Sequence, residues 1–276
     1  MSTPRILITG ANTGIGYATA ERLVKQGAHV ILACRNLDKA HAAQQQLQQL
    51  NAGQVDVVQL DLNSLASVQQ SAQVISERYD YLDVLINNAG LFAREKQLTA
   101  EGFEQQFGVN YLAPVLLTLK LLPLLQKAQQ ARIINVASVA HWVGSIQPER
   151  FRAEGHYNPL FFYGQSKLAN ILFNTALAAQ LQGSNVTSNA LHPGAIDSEI
   201  YRGLPRLVHR IMQIGLVSTA VPAKLMEQMA IGTDWANRNG EYVSAQWPDA
   251  RSREAKDPAA AAKLHEQALA LLVDYL

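Results

Sequence analysis

Tyr163 and Lys167 stand four residues apart in the run "FYGQSKLAN" at 162–170. On a helix this spacing puts both side chains on one face, and 161–182 holds few helix breakers before Gly183, which predicts a helix. A free phenol, with a pKa of ~10, is too weak an acid for efficient proton transfer near neutrality. Bringing it down by ~2–3 pKa units takes ~3–4 kcal/mol. An ammonium ~4 Å away supplies roughly 4 kcal/mol at an effective dielectric of ~20. Desolvation opposes that gain, so the sum establishes feasibility. The plain alternative is an amphipathic helix with its lysine stem laid along the surface.

A second signal lies near the start of the chain. "TGANTGIG" (9–16) follows the apolar run "RILIT" and opens a helical pattern, with Gly10, Gly14 and Gly16 spaced G-x-x-x-G-x-G. Glycines there let the chain turn and let backbone N–H groups, with Asn12, Thr13 and Ile15 in the loop, approach a diphosphate at the helix N-terminus. Strand, turn and helix form the context such a motif requires; a glycine-rich turn without a ligand is the alternative. The next apolar run, "HVILAC" (29–34), ends at Cys34 and Arg35. Dinucleotide folds place a carboxylate there for the ribose 2′-hydroxyl, whereas an arginine suits a 2′-phosphate. NADP(H) is therefore favoured over NAD(H).

These residues need elements to hold them. Apolar runs at 5–9, 29–34, 55–62, 82–90, 131–138, 185–194 and 240–244 alternate with helical patterns at 14–26, 36–50, 64–79, 101–127 and 161–182. Strands this apolar, separated by helices, predict a parallel sheet covered on both faces. The fold class is α/β, a doubly wound Rossmann-type, mostly parallel sheet, expected as one domain over 1–276. Two stretches break the rhythm, 139–160 and 199–217, and long connections in compact domains are often functional. Asp257-Pro258 predicts the start of a last helix.

Composition narrows the partners. The chain has 276 residues, 48% apolar and 16% charged, with a net charge of +1. No basic stretch could track a phosphate backbone, which argues against nucleic acid. One cysteine, Cys34, excludes an intrachain disulfide and a cysteine-based zinc site. His141, His156 and His192 lack metal-ligand spacing, so no metal is expected; His192 reads as structural and the others as loop residues that could face substrate. The apolar segment 115–125 is too short to span a bilayer of ~30 Å. "RILITG" is entered at once, with no signal-peptide core or apolar anchor ahead of it, so a soluble, cytoplasmic protein is expected.

Together the motifs resemble the short-chain dehydrogenase/reductase family over nearly the whole chain. "TGANTGIG", Asp61-Leu62, "NNAG" (87–90), Asn110 in "GVNYLAP", Ser138, "YGQSK" (163–167) and "HPG" (192–194) occur in the family's order. "ACRN", "VASVAH", "SKLANILF" and "HPGAIDSEI" are similar to its retinol dehydrogenase-like branch. The resemblance implies that Tyr163 is the acid/base, Ser138 orients the substrate oxygen, Lys167 tunes the phenol and holds the nicotinamide ribose, and Asn110 positions a water. It also implies that Asp61 and Leu62 meet the adenine, that Asn88, Ala89 and Gly90 line the adenosine side, and that Pro193, Gly194, Ile196 and Ser198 cover the nicotinamide. Two departures stand out. Ala137 occupies the first place of a Ser-Ser pair common in relatives, and the apolar N-terminal anchor of membrane-bound retinol dehydrogenases is not seen.

The irregular stretches carry Trp142, Phe151, Tyr157, Phe161, Tyr201, Leu204, Leu207 and Ile211, which suits a lipophilic aldehyde, ketone or alcohol. Two other functions fit the same motifs: a C=C reductase resembling protochlorophyllide reductase, and a non-catalytic NADPH-binding regulator. The helix at 161–182 is apolar nearly all round, so it is either buried or packed on a second subunit; the resemblance implies a homo-oligomer.

Overall fold

A computed structural model describes residues 3–194, 218–245 and 251–276. It opens with β1 (Arg5–Thr9), α1 (Gly14–Lys25), β2 (His29–Cys34), α2 (Leu37–Gln48), β3 (Gln54–Gln59), α3 (Leu65–Arg78) and β4 (Val84–Asn87). It continues with α4 (Gln105–Gln126), then β5 (Ala131–Val136), α5 (Pro159–Gln180), β6 (Val186–His192), α6 (Ala220–Ile231), β7 (Tyr242–Ser244) and α7 (Pro258–Leu271). The seven strands form one sheet in the order β3-β2-β1-β4-β5-β6-β7, and each neighbouring pair is parallel. The strand order reverses direction between β1 and β4, the switch point at which open α/β sheets place their ligands.

Alternation along the strands assigns the two faces. Leu7 joins the core under α3, α4 and α5, whereas Ile6 and Ile8 join the core under α1, α2 and α6. Successive side chains of a strand point to opposite faces, so a strand covered on both sides must be apolar throughout. The strands end short of the apolar runs: β4, expected over 82–90, stops at Asn87, and β5, expected over 131–138, stops at Val136. The remainder of each run turns into the loops at the carboxyl edge.

Caps set the helix starts. Asn158 accepts from the N–H groups of Leu160 (3.1 Å) and Phe161 (3.2 Å), with Pro159 at the first helical position, so α5 begins two residues before 161. Asp257 caps α7 in the same way, accepting from Ala259 N–H at 2.9 Å. Glu104 accepts from Gln106 N–H (3.0 Å) and Phe107 N–H (2.8 Å), which starts α4 at Gln105 instead of 101. At 22 residues α4 is long and apolar enough to cross a membrane, but 78% of its apolar window is buried within the protein, as expected of a core helix. α5 is apolar all round because the sheet covers one side and Ala261, Leu264 and Ala268 of α7 cover another.

Candidate active site

Tyr163 and Lys167 project from α5 toward the carboxyl ends of β4 and β5, exposed by only 7% and 4%. Lys167 Nζ lies 5.7 Å from the centre of the Tyr163 ring and donates to the Val136 carbonyl at 3.0 Å. Burial pulls the Lys167 amine down to about 8, because a desolvated site disfavours the charged form. Phe92 and the Tyr163 ring meet in a T-shaped contact at a centroid distance of 5.5 Å.

Asn110 sits where α4 passes through a π turn, Gly108–Leu112. Its Oδ1 accepts from Leu91 N–H (2.8 Å), while its Nδ2 donates to the Leu91 carbonyl (2.9 Å) and to Ser166 Oγ (3.0 Å). The Ser166 hydroxyl in turn donates to the Tyr163 carbonyl at 2.8 Å. Asn110 thereby fastens the loop after β4 to the backbone of α5. Gly90 makes room for this corner: a Cβ there would stand 3.2 Å from Asn110 Oδ1 and 3.4 Å from Lys167 Nζ. Ser138 follows β5, buried, and its hydroxyl accepts from Ala140 N–H at 3.2 Å.

The glycine loop has the shape of an anion cradle. Gly10 has a φ of +67° and packs so closely that a Cβ would meet Ala89 Cβ at 3.0 Å; at Gly16 it would meet Asn88 Nδ2 at 2.6 Å. Gly14, at φ +60°, faces open space. Thr13 caps α1 without a side-chain hydrogen bond, so the first-turn N–H groups keep their capacity for a ligand's oxygens. These features fit a dinucleotide diphosphate. Thr9 Oγ1 accepts from the N–H groups of Asn88 (3.0 Å) and Ala89 (2.9 Å), which pins β4 to β1 beside the cradle.

The other expected contacts fall at the same edge. Arg35 is exposed at the tip of β2. Asp61 Oδ1 accepts from Asn63 N–H at 3.0 Å, and Leu62 is buried beside it. Pro193 and Gly194 (φ +92°) follow β6, whereas Ile196, Ser198 and the stretch 199–217 lie outside the described residues.

Residues 4–206 match the family described as short chain dehydrogenase. The chain belongs to the short-chain dehydrogenase/reductase family. It is 38% identical over 257 residues to Retinol dehydrogenase 12 of Mus musculus, spanning 91% of this chain and 81% of that protein, which puts it in the retinol dehydrogenase-like branch. An uncharacterized protein from Mycobacterium paratuberculosis shares the fold at a TM-score of 0.80 and 35% identity, over 98% of this chain and 93% of that one. The Pseudomonas aeruginosa RhlG/NADP active-site complex matches at a TM-score of 0.71 and 26% identity, over 88% of this chain and 95% of that one.

In this short-chain dehydrogenase the stretch 139–160 is largely ordered by packing. Phe151 stacks on Phe107 at 3.9 Å, and Tyr157 stacks on Phe162 at 4.9 Å while its hydroxyl donates to the Ala93 carbonyl at 2.8 Å. Both were expected to line a substrate pocket; Phe151 is buried in the loop's packing, while Tyr157 is half-buried. The apolar side chains left exposed there are Val139, Trp142 and Val143, next to Ser138, and Leu160, one turn before Tyr163. His141, expected as a loop residue that could face substrate, is buried in the short turn after Ser138, and His192, expected as structural, is buried too. The sequence also passed over Ser166 and Val136. Their contribution is a hydroxyl bridge in one case and a backbone carbonyl in the other, and neither leaves a mark in residue type.

Proposed function

We propose that this protein is an NADP(H)-dependent oxidoreductase that interconverts lipophilic aldehydes or ketones with their alcohols. The observation that carries this assignment is the buried Tyr163–Lys167 pair, in which an amine held, among the described residues, by one neutral carbonyl faces a phenol. The dinucleotide supplies the hydride when it is bound. In reduction Tyr163 gives its hydroxyl proton to the carbonyl oxygen, and Ser138 hydrogen-bonds the same oxygen and orients it. Below about pH 8 the Lys167 amine is mostly an ammonium, and its charge favours the phenolate form that remains after transfer. Gly10, Gly14 and Gly16 would hold the diphosphate, and Lys167 the nicotinamide ribose. Asn110 holds the corner at fixed spacing, and the second lone pair of its Oδ1 is available to a water bridging toward Lys167.

Arg35 supports the 2′-phosphate preference, since an exposed guanidinium stands where a ribose-binding carboxylate would otherwise be. The NADP bound by the Pseudomonas relative agrees with that preference. Val139, Trp142, Val143 and Leu160 offer apolar surface beside the reacting groups, and the similarity to retinol dehydrogenases supports a lipophilic substrate. Tyr163→Phe tests the assignment. Carbonyl-dependent NADPH consumption should fall by about 10²–10⁴-fold, the usual weight of a general acid, with NADPH binding measured by fluorescence unchanged. Retention of most of the turnover would refute the role of Tyr163.

A further inference from the structure

The peptide bond between Ser138 and Val139 is gripped from both sides by imidazoles. His141 Nδ1 lies 2.8 Å from the Ser138 carbonyl oxygen, and Val139 N–H donates to His192 Nδ1 at 3.3 Å. A carbonyl only accepts and an amide N–H only donates, so the partners dictate the tautomers. His141 carries its proton on Nδ1. His192 leaves Nδ1 bare and carries its proton on Nε2. The far nitrogen of His141, also bare, accepts from Ser252 N–H at 3.1 Å. The bonds thus run in a line from Ser252, ahead of α7, through His141 and the Ser138–Val139 peptide to His192 at the end of β6. The two imidazoles are exposed by only 1% and 3%. Ile146 N–H donates to Glu254 Oε1 at 3.1 Å, a second tie between the same loop and the same C-terminal segment.

We infer that His141 and His192 are positioning residues, two neutral imidazoles that hold the Ser138–Val139 peptide so that the Ser138 hydroxyl keeps one place beside Tyr163. This deepens the oxidoreductase assignment above and rests on it, because it presumes that Ser138 orients the substrate oxygen. A hydroxyl on a single rotor is only as well placed as its backbone, and small misplacements of an orienting group are costly in rate. Ser138 caps a short 3-10 turn after β5, where the backbone holds its carbonyl by a single bond, from His141 N–H at 3.1 Å, and the His141 imidazole adds a second. Burial, with His141 and Lys167 nearby, pushes His192 down to about 4, which keeps its Nδ1 an acceptor near neutrality.

The test uses two variants and one spectrum. His141→Phe keeps a ring and removes both bonds; His141→Asn keeps a donor where Nδ1 stood. His141→Phe should lower kcat for carbonyl reduction by about tenfold or more with KM for NADPH within about twofold, and His141→Asn should recover to within about threefold of the parent. Nitrogen-15 NMR of the parent near neutral pH should show the Nδ1–H form of His141 and the Nε2–H form of His192. A kcat for His141→Phe within about twofold of the parent, an equal loss of NADPH affinity and kcat, or either opposite tautomer overturns the clamp. A parent inactive on every carbonyl sinks the oxidoreductase assignment itself, whereas wrong tautomers in an active parent sink the clamp alone.

Discussion

At the amino end of the sheet, Asp56 of β3 is held by His29 Nε2 at 2.8 Å, the Tyr79 hydroxyl at 2.7 Å and Arg78 at 3.1 Å. At the carboxyl end, Lys167 is held among the described residues by one neutral carbonyl, Val136, at 3.0 Å. Lys167 is buried and Asp56 half-buried, and their titration is set by opposite forces. Burial pushes the Asp56 carboxyl up, but the bonds from Tyr79 and His29 and the charge of Arg78 outweigh it and leave it below the usual carboxylate range. Burial acts on Lys167 with no charge among the described residues to oppose it and brings the amine down to about 8. A charge matched on every side is stabilising and inert. A desolvated cation beside a phenol is destabilising and chemically useful, the pattern that marks a functional site.

Lys167→Met breaks this contrast most directly. Turnover should fall by about 10²–10³-fold. Stability should rise, because the displacement of the amine from 10.5 to about 8 corresponds to about 3 kcal/mol of disfavoured charge. Urea denaturation at neutral pH checks the gain; an active but less stable variant would erase the difference between the two ends.

Acid should sharpen the contrast next. Unfolded His192 takes up a proton near 6.5, whereas in the fold it waits until about 4. The unfolded state therefore binds more protons in that window, and stability falls as pH drops through it, by at most about 3 kcal/mol. Asp56 contributes stability that is present above 3.8 and lost as pH falls through its lowered folded value. Denaturation at stepped pH should show the first loss in the parent and a flatter profile in His192→Asn, whose Oδ1 can still accept from Val139 N–H.

Arg35→Ala should reduce the preference for NADPH over NADH by about tenfold, or about 1.4 kcal/mol, seen as a rise in KM for NADPH alone. Asp56→Asn should cost about 1 kcal/mol of stability with kcat unchanged, since the amino end serves the fold and not the reaction. A loss of kcat there would merge the two ends into one functional unit.

Much of this was legible because it is local. The Asp257-Pro258 start of α7 and the glycine loop before α1 follow from neighbours along the chain. The start of α5 was missed by two residues because Asn158 and Pro159 were read as part of a loop, although together they form a cap. The start of α4 lies four residues after the expected 101, because the cap at Glu104 depends on a side-chain turn that residue type alone does not mark. The imidazole pair was read as loop and structure because nothing near His141 in the chain points to Ser252, 111 residues away.

Spacing along one helix was sufficient to set Tyr163 beside Lys167, and glycines after the first strand were sufficient to open a cradle at α1, since both are matters of backbone geometry over a few residues. Only the assembled sheet decided that the Lys167 amine would meet the Val136 carbonyl, 31 residues back in the chain, with no acid among the described residues to neutralise it. That choice belongs to tertiary structure because desolvation and hydrogen-bond partners at the carboxyl edge do not exist until β4, β5, β6 and α5 have come together.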